Sequence, residues 1–349
     1  MSVQAAVLTA PGRLELREMP APDCPPGGAL VRVHSCSVCG TDVKMLERGH
    51  RDLSYPRVLG HEIAGRIDQV DESESDLSPG DPVQVWPGLA CGVCRPCRRG
   101  QDNQCESMGI LGFNRDGGYA ELVALPRESL VRGLCRLKRG ADLSLASLAE
   151  PLACCINGQE LTGVGPLDQV LVLGGGPIGC LHALLARRRG AEKVLLAERL
   201  PGRIRMAERR GQSLADRVID TRDQTIRDVV AEETGGRGVD VILPATPEID
   251  VDCDMLGLLA PRGRISLFSG PRPGSFREVM DIRTMHYRDL MLVGAYGSTS
   301  RQNRVAAEMI SSREIDVRWL ITMRTDLGGV GKALEHAMTR AGMKAVICR

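Results

Sequence analysis

Aromatic side chains are scarce in this chain, and their scarcity limits both its core and the partners it can bind. Phenylalanine, tyrosine and tryptophan make up 3% of the 349 residues. The core must therefore be built from aliphatic side chains, and a stacking platform for single-stranded nucleic acid is not expected. The chain is longer than a single hydrophobic core usually supports, and it is long enough for two domains.

The chain also lacks an excess of charge and a long apolar run. Its formal net charge is +1, so it shows no electrostatic footprint for nucleic acid or for an anionic membrane. No apolar run reaches the roughly 18 residues that a membrane-spanning helix needs. The first residues lack the basic region of a signal peptide and predict a strand. We therefore expect a cytoplasmic protein with no nucleic-acid or membrane partner.

Cysteine, in contrast, is plentiful, and four of the thirteen cysteines are closely spaced. Without a secretory signal, thiols and metal sites are more plausible than disulfides. The close set is Cys91, Cys94, Cys97 and Cys105. Four thiolates in a loop-forming stretch can close a tetrahedral zinc site. The alternatives are surface thiols or an iron–sulfur cluster, but ferredoxin-type clusters call for a short spacing followed by Cys-Pro. We predict a structural zinc lobe at about residues 86–110 with no open position for chemistry.

A second set of metal-ligating side chains is spread over a longer stretch. Cys39, His61 and Glu62 offer a thiolate, an imidazole and a carboxylate. A catalytic zinc takes about three protein ligands and keeps one position open. Glu150 could be a fourth ligand or could bind through water, and Asp42 could orient His61. Taken singly, His61 would be a hydrogen-bonded buried histidine and Glu62 a surface carboxylate.

The pattern of predicted secondary structure changes near residue 150. Before it the chain predicts strands and loops, for example at 29–34 and 82–86. After it, strand-like runs alternate with helical ones; the strand-like runs are 169–173, 193–197, 239–243 and 263–268. This alternation predicts βαβ units around a parallel sheet, so the fold class is α/β. The end of the chain predicts a helix over 326–340 and a closing strand over 344–348.

A glycine-rich loop follows the first of these strands and opens a helix. Gly174, Gly176 and Gly179 fit the G-x-G-x-x-G pattern of dinucleotide-binding turns. Proline suits the first helical turn, and exposed backbone N–H groups at a helix start favour an anion. The predicted cofactor-binding residues of the loop are Gly174, Gly176, Pro177, Ile178 and Gly179.

An acidic residue ends the second strand of this region. Glu198 stands where a carboxylate binds the 2′-hydroxyl of the cofactor ribose. It would repel the 2′-phosphate of NADP, so we predict NAD as the cofactor. Arg199 and Arg203 lie close by and could pair with a 2′-phosphate if Glu198 turned away, which leaves NADP as the alternative.

Taken together, these motifs resemble the zinc-dependent medium-chain dehydrogenases of the alcohol dehydrogenase superfamily. The residues that carry the resemblance stand in the family order and span essentially the whole chain: Cys39-Gly40-Thr41-Asp42, Gly60-His61-Glu62, the four-cysteine lobe, Glu150-Pro151 and the loop from Gly174 to Gly179. The chain is most similar to the polyol (sorbitol-type) and threonine dehydrogenase branch.

The resemblance implies a fold and an assembly. It implies a GroES-like, mostly β catalytic domain over residues 1–151 and 286–349, interrupted by a Rossmann NAD-binding domain over 152–285. It also implies a homodimer or a homotetramer. With the two metal clusters it implies two zinc ions per chain.

It further implies oxidation of a secondary alcohol, polyol or sugar-alcohol-like, by hydride transfer to NAD. In that branch the catalytic zinc is held by residues matching Cys39, His61 and Glu62, with a residue matching Glu150 nearby or in its coordination sphere. The residue matching Thr41 carries the alcohol proton away. Lys44 stands where the branch usually has histidine; it could end the proton relay, contact an anionic substrate, or be a solvated lysine.

Two other interpretations stay open at this point. One is a different substrate within the family, namely threonine, a phosphorylated polyol or an aminocyclitol. The other is a non-catalytic relative that kept the fold, which the presence of Thr41 and of the zinc-ligand residues disfavours.

Overall fold

The chain folds into two compact units. The computed structural model describes residues 2–71, 76–246, 251–269, 281–340 and 342–349. One unit consists of Met1–Ala153 with Gly297–Arg349, and the other of Cys154–Tyr296. The second boundary falls after residue 296 and not at 286, because a last strand of the inner unit follows that point, as described below.

The first unit is built mainly from strands. Its strands are β1 (Ser2–Ala10), β2 (Arg13–Pro20), β3 (Ala29–Ser37), β4 (Arg57–Val58), β5 (Glu62–Val70), β6 (Pro82–Val85), β7 (Gly88–Leu89), β8 (Gly109–Ile110), β9 (Leu122–Leu125) and β10 (Leu134–Arg136). Its helices are α1 (Gly40–Arg48), α2 (Arg95–Arg98) and α3 (Leu143–Ala146). Helix α4 (Ala149–Thr162) then carries the chain into the second unit.

The second unit alternates strands and helices, as the sequence pattern predicts. Its strands are β11 (Gln169–Leu173), β12 (Lys193–Glu198), β13 (Arg217–Asp220), β14 (Val239–Pro244), β15 (Leu259–Leu267) and β16 (Met291–Gly294). Its helices are α5 (Pro177–Arg188), α6 (Pro201–Glu208), α7 (Ile226–Thr234), α8 (Cys253–Gly257) and α9 (Ile282–Tyr287).

These six strands form one parallel sheet in the order β13-β12-β11-β14-β15-β16. This is the strand order of a Rossmann fold, so the predicted α/β class is confirmed. Val170, Leu171 and Val172 of the central strand are fully buried, as expected for a parallel strand covered on both faces. Strand β16 pairs with β15 and therefore places the boundary of this unit beyond residue 286.

The chain then returns to the first unit. The returning elements are α10 (Ser300–Ser311), β17 (Ile321–Thr325), α11 (Val330–Thr339) and β18 (Lys344–Cys348). Strand β18 enters the large sheet of the first unit, whose order is β10-β6-β5-β3-β18-β17, with β9 also paired to β3. The C-terminal strand thus lies two strands away from β5, which begins at Glu62.

The core of the first unit is aliphatic, as the composition requires, with the buried ring of Tyr119 as its largest fully buried side chain. Among the described residues, no helix combines the length and the apolar character needed to cross a membrane.

Candidate active site

Helix α1 fixes the first residue of the candidate metal cluster. Cys39 is the N-cap of this helix, and its Sγ accepts a hydrogen bond from the N–H of Thr41 at 3.4 Å. Oδ2 of Asp42 in turn accepts one from the N–H of Cys39 at 2.9 Å. This reciprocal capping box sets the backbone of the turn.

The other two ligand groups come from the start of β5. His61 and Glu62 are both buried. One ligand atom from each of Cys39, His61 and Glu62 lies within 4.8 Å of the others. Sulfur, nitrogen and oxygen donors converging at this separation suit zinc, which accepts all three. The structure therefore brings together the three residues that the sequence singled out.

Two groups behind the cluster orient His61. Oδ1 of Asp42 lies 3.3 Å from Nδ1 of His61, and the hydroxyl of Tyr119 donates to Oδ2 of Asp42 at 2.8 Å. Burial by itself would lower the pKa of His61, but the charges of Asp42 and Cys39 outweigh it and hold that pKa well above its usual range. With Nδ1 facing Asp42, Nε2 is left to ligate a metal.

A buried cation lies against Glu62. Nζ of Lys344 is 2.5 Å from both carboxylate oxygens of Glu62 and donates to the carbonyl of Val38 at 2.9 Å. Burial alone would lower the pKa of Lys344, but the charges of Glu62, Cys39 and Glu150 raise it. Sequence reasoning missed this residue. The sequence does contain a signal for it, because Lys344 is the first residue of a strand that is otherwise apolar.

The remaining predicted site residues are less closely grouped. Glu150 lies in the first turn of α4 and is buried, but it is not one of the three groups that converge within 4.8 Å. Thr41 is half-buried on α1, and Lys44 is exposed on the same helix. The ligand role of Glu150 and the roles of Thr41 and Lys44 stay predictions.

The four cysteines of the lobe also converge. Their Sγ atoms all lie within 4.8 Å of one another; the residues are Cys91, Cys94, Cys97 and Cys105. Hydrogen bonds from the N–H groups of Val93 and Cys94 lower the pKa of the Cys91 thiol to about 6, while burial raises that of Cys97 to about 12. Within the described residues, none of the thirteen cysteines forms a disulfide. A full set of four sulfur donors can bind zinc and leaves no position open.

The glycine loop of the second unit has the geometry of a dinucleotide-binding turn. It joins the end of β11 to the start of α5, and Pro177 occupies the first helical turn. A Cβ on Gly179 would lie 1.7 Å from the carbonyl oxygen of Gly174, so only glycine fits there. Gly174 itself has φ +101°, a conformation that glycine adopts readily.

Glu198 ends β12 beside this loop, as predicted. Its Oε2 accepts from the N–H of Gly175 at 2.9 Å, and its Oε1 accepts from those of Arg199 and Leu200 at 2.6 and 2.9 Å. The carboxylate therefore holds the loop in addition to presenting a negative charge there. Arg203 approaches from α6, where its Nη1 would lie 2.9 Å from a Cβ on Gly176.

Comparison with known proteins agrees with this geometry. Residues 25–134 match the family described as alcohol dehydrogenase GroES-like domain, and residues 177–312 match the family described as zinc-binding dehydrogenase. D-altritol 5-dehydrogenase of Agrobacterium fabrum is 32% identical over 86% of this chain and 89% of its own length. An L-threonine 3-dehydrogenase of Pyrococcus horikoshii is 31% identical over 85% of this chain and 83% of its own.

Solved structures agree with this assignment. A zinc-binding dehydrogenase from Sinorhizobium meliloti 1021, bound to NADP, superposes with a TM-score of 0.90 at 27% identity, covering 100% of both chains. An alcohol dehydrogenase from Escherichia coli CFT073, complexed with NADH, gives 0.89 at 26% identity, covering 100% of this chain and 99% of its own. The protein belongs to the zinc-dependent medium-chain dehydrogenases of the alcohol dehydrogenase superfamily, and it is an oxidoreductase of that family.

Proposed function

We propose that this protein oxidises a secondary alcohol group of a polyol or sugar-alcohol-like substrate and transfers the hydride to NAD. The observation that carries the proposal is the convergence of Cys39, His61 and Glu62 within 4.8 Å. Three ligands with an open position are the arrangement of a catalytic zinc site. The similarity to an altritol dehydrogenase over most of both chains supports a polyol as substrate.

Cys39, His61 and Glu62 would hold the catalytic zinc, with Glu150 as a further ligand or bound through water. When bound, zinc supplies a Lewis acid that lowers the pKa of a substrate alcohol. The hydroxyl of Thr41, two residues from Cys39, would accept the proton. Lys44 is exposed three positions further along α1, where it would pass the proton to solvent or contact an anionic substrate.

The second unit would bind NAD at the start of α5. Backbone N–H groups there favour the pyrophosphate, and Glu198 would bind the ribose hydroxyls. When bound, the nicotinamide would supply the hydride acceptor. Glu198 supports NAD over NADP because its carboxylate would repel a 2′-phosphate. Structures related to this one contain NADH in one case and NADP in another.

The test is a substrate screen with purified, zinc-loaded protein. Hexitols, threonine and phosphorylated polyols are each offered with NAD and with NADP, and formation of the reduced cofactor is followed. We expect turnover of a polyol with NAD. A protein that contains two zinc ions per chain yet oxidises none of these alcohols would contradict the proposal.

Threonine is the second candidate substrate, because a threonine dehydrogenase covers nearly as much of the chain at nearly the same identity. The same screen separates the two substrates. A kcat/KM for threonine well above that for every hexitol would replace the polyol assignment.

We also propose that the protein assembles as a homodimer, or as a homotetramer of such dimers. Strand β16 pairs with β15, and no other described strand pairs with it. Ile282 and Tyr287 of α9, the helix before β16 in the chain, are 73% and 75% exposed. An open strand edge and exposed apolar side chains both suit pairing with a second copy. Light scattering on the protein as it elutes from a size-exclusion column gives the mass of the assembly. The mass of a monomer would refute the proposal.

A further inference from the structure

Three rings follow one another outward from the metal cluster. The centroid of the Phe113 ring is 5.2 Å from that of His61, with 58° between the ring planes. Phe113 also meets His50 edge to face, with centroids 5.2 Å apart and planes at 84°. The His50 ring is therefore no more than about 10 Å from the His61 ring. The length of an extended five- or six-carbon polyol falls within this upper limit.

The row of rings runs from the interior to the surface. His61 is buried, Phe113 is half-buried, and the side chain of His50 is 29% exposed. Pockets for small molecules combine apolar and aromatic walls with a few fixed polar groups. In a pocket beside the metal cluster, the ring of Phe113 would supply such a wall and His50 a polar group next to it.

The His50 ring is fixed and has one nitrogen to spare. Nδ1 accepts a hydrogen bond from the N–H of Asp52 at 3.2 Å. Burial lowers the pKa of His50 more than Asp52 raises it, so the ring is neutral near pH 7 and Nε2 carries the proton. Within the part of the chain that the structure describes, Nε2 has no hydrogen-bond partner.

We propose that Phe113 and His50 form a substrate-binding wall that selects polyols over simple alcohols. Phe113 packs against the carbon chain, and Nε2–H of His50 donates to a hydroxyl remote from the carbon that is oxidised. A site built to bond a substrate hydroxyl discriminates against the analogue that lacks it, because its own polar group is then left unpaired. This inference rests on the proposed oxidation of a polyol and names the residues that recognise it.

The ring stack could instead serve only to pack the loop after α1 onto the core. That role predicts equal effects on every substrate, or a change in stability alone. Recognition of a remote hydroxyl predicts an effect that depends on whether the substrate carries one. The two roles can therefore be separated by comparing a hexitol with 2-butanol, which has a secondary alcohol and no second hydroxyl.

The experiment uses three variants of the full, zinc-loaded protein. His50→Phe keeps a ring and removes the donor, His50→Gln keeps a donor, and Phe113→Leu keeps apolar volume and removes the ring. For each, kcat and KM are measured with the hexitols that the wild type oxidises and with 2-butanol. Zinc content is determined, and binding of a hexitol to the enzyme–NADH complex is measured by calorimetry.

We expect His50→Phe to raise KM and the calorimetric Kd for hexitols roughly three- to tenfold, the loss of about one hydrogen bond. Kinetics with 2-butanol should stay within about twofold, with two zinc ions per chain retained. His50→Gln should recover much of the hexitol affinity, and Phe113→Leu should weaken hexitol binding more than 2-butanol turnover.

Equal changes for hexitols and 2-butanol, or no change for hexitols, would overturn this inference and leave the proposed function standing. A wild type that oxidises 2-butanol or threonine but no hexitol would also overturn it. A wild type with two zinc ions that oxidises no alcohol would instead refute the proposed function itself.

Discussion

Nζ of Lys344 lies 2.5 Å from each carboxylate oxygen of Glu62, and both side chains are buried. The pair joins the strand that begins at the metal cluster to the strand that ends the chain. A buried carboxylate is costly without a partner. Lys344 therefore balances the charge of Glu62 and fixes the direction in which its oxygens point.

Removing the positive charge of Lys344 should show how far the protein's stability depends on the ion pair with Glu62. We expect Lys344→Met to destabilise the metal-free protein by about 3–5 kcal/mol, because it leaves a buried carboxylate unpaired. Urea unfolding in the presence of a chelator measures this change. The double variant Glu62→Gln/Lys344→Met should recover much of the loss, since neither charge remains. If the double variant is no more stable than Lys344→Met, the ion pair does not account for the effect.

Asp42 should control how tightly the first cluster retains its metal. Its carboxylate faces Nδ1 of His61 at 3.3 Å. Partners that orient a ligand histidine change metal affinity by about 10–100-fold, so Asp42→Asn should lose one zinc ion at a correspondingly lower chelator concentration. Tyr119→Phe is the matched control, because it removes one hydrogen bond from Asp42 and keeps the carboxylate. Equal loss of zinc in the two variants would show that Asp42 does not act through its charge on His61.

Glu198 should set the cofactor preference. Glu198→Gln removes the charge that repels a 2′-phosphate and keeps an oxygen to accept hydrogen bonds from the loop. We therefore expect kcat/KM for NADP, divided by kcat/KM for NAD, to rise by about tenfold or more. Asp220→Asn is a matched control at the end of the neighbouring strand, where Asp220 is paired with Arg222. An unchanged ratio in Glu198→Gln would mean that the carboxylate does not face the ribose.

The four-cysteine lobe should hold the segment through which the chain returns from the second unit. Nε1 of Trp86 donates to the carbonyl of Ser298 at 3.0 Å. Asp102 accepts from the N–H and the hydroxyl of Ser300. We therefore expect Cys105→Ser to lose the lobe zinc and to speed amide hydrogen exchange over residues 298–302, because lobe residues supply these contacts.

The matched variant for this prediction is Asp102→Asn, which leaves all four sulfur ligands in place. It should keep two zinc ions per chain and still speed exchange at Ser300. Unchanged exchange over this segment in both variants would show that the lobe and the returning segment are independent.

What could be predicted from the sequence was encoded locally. The loop from Gly174 to Gly179 and the residue Glu198 follow directly from strands whose apolar runs are unmistakable, so a few residues fix both position and geometry. The cysteines of the lobe lie close in the chain and have few ways to arrange themselves. These features support the fold class and the family, which the comparisons confirm.

The rest depended on contacts between distant residues. Lys344 is 282 positions from Glu62, and Tyr119 is 77 positions from Asp42, so no spacing rule joins them. Cys39 was placed in a region of strands and loops, whereas it caps the helix α1. The short strand β16 carries little pattern of its own, and for that reason the domain boundary expected at 286 falls instead after residue 296.

The assignment of the catalytic metal site is tested most directly by the zinc content of His61→Ala, measured together with its activity and its NAD binding. We expect the wild type to hold two zinc ions per chain and the variant to keep one, in the four-cysteine lobe. The folded variant should still bind NAD but oxidise no alcohol. Two zinc ions in the variant, or alcohol oxidation by the variant with the first site empty, would contradict the claim that Cys39, His61 and Glu62 form the catalytic metal site.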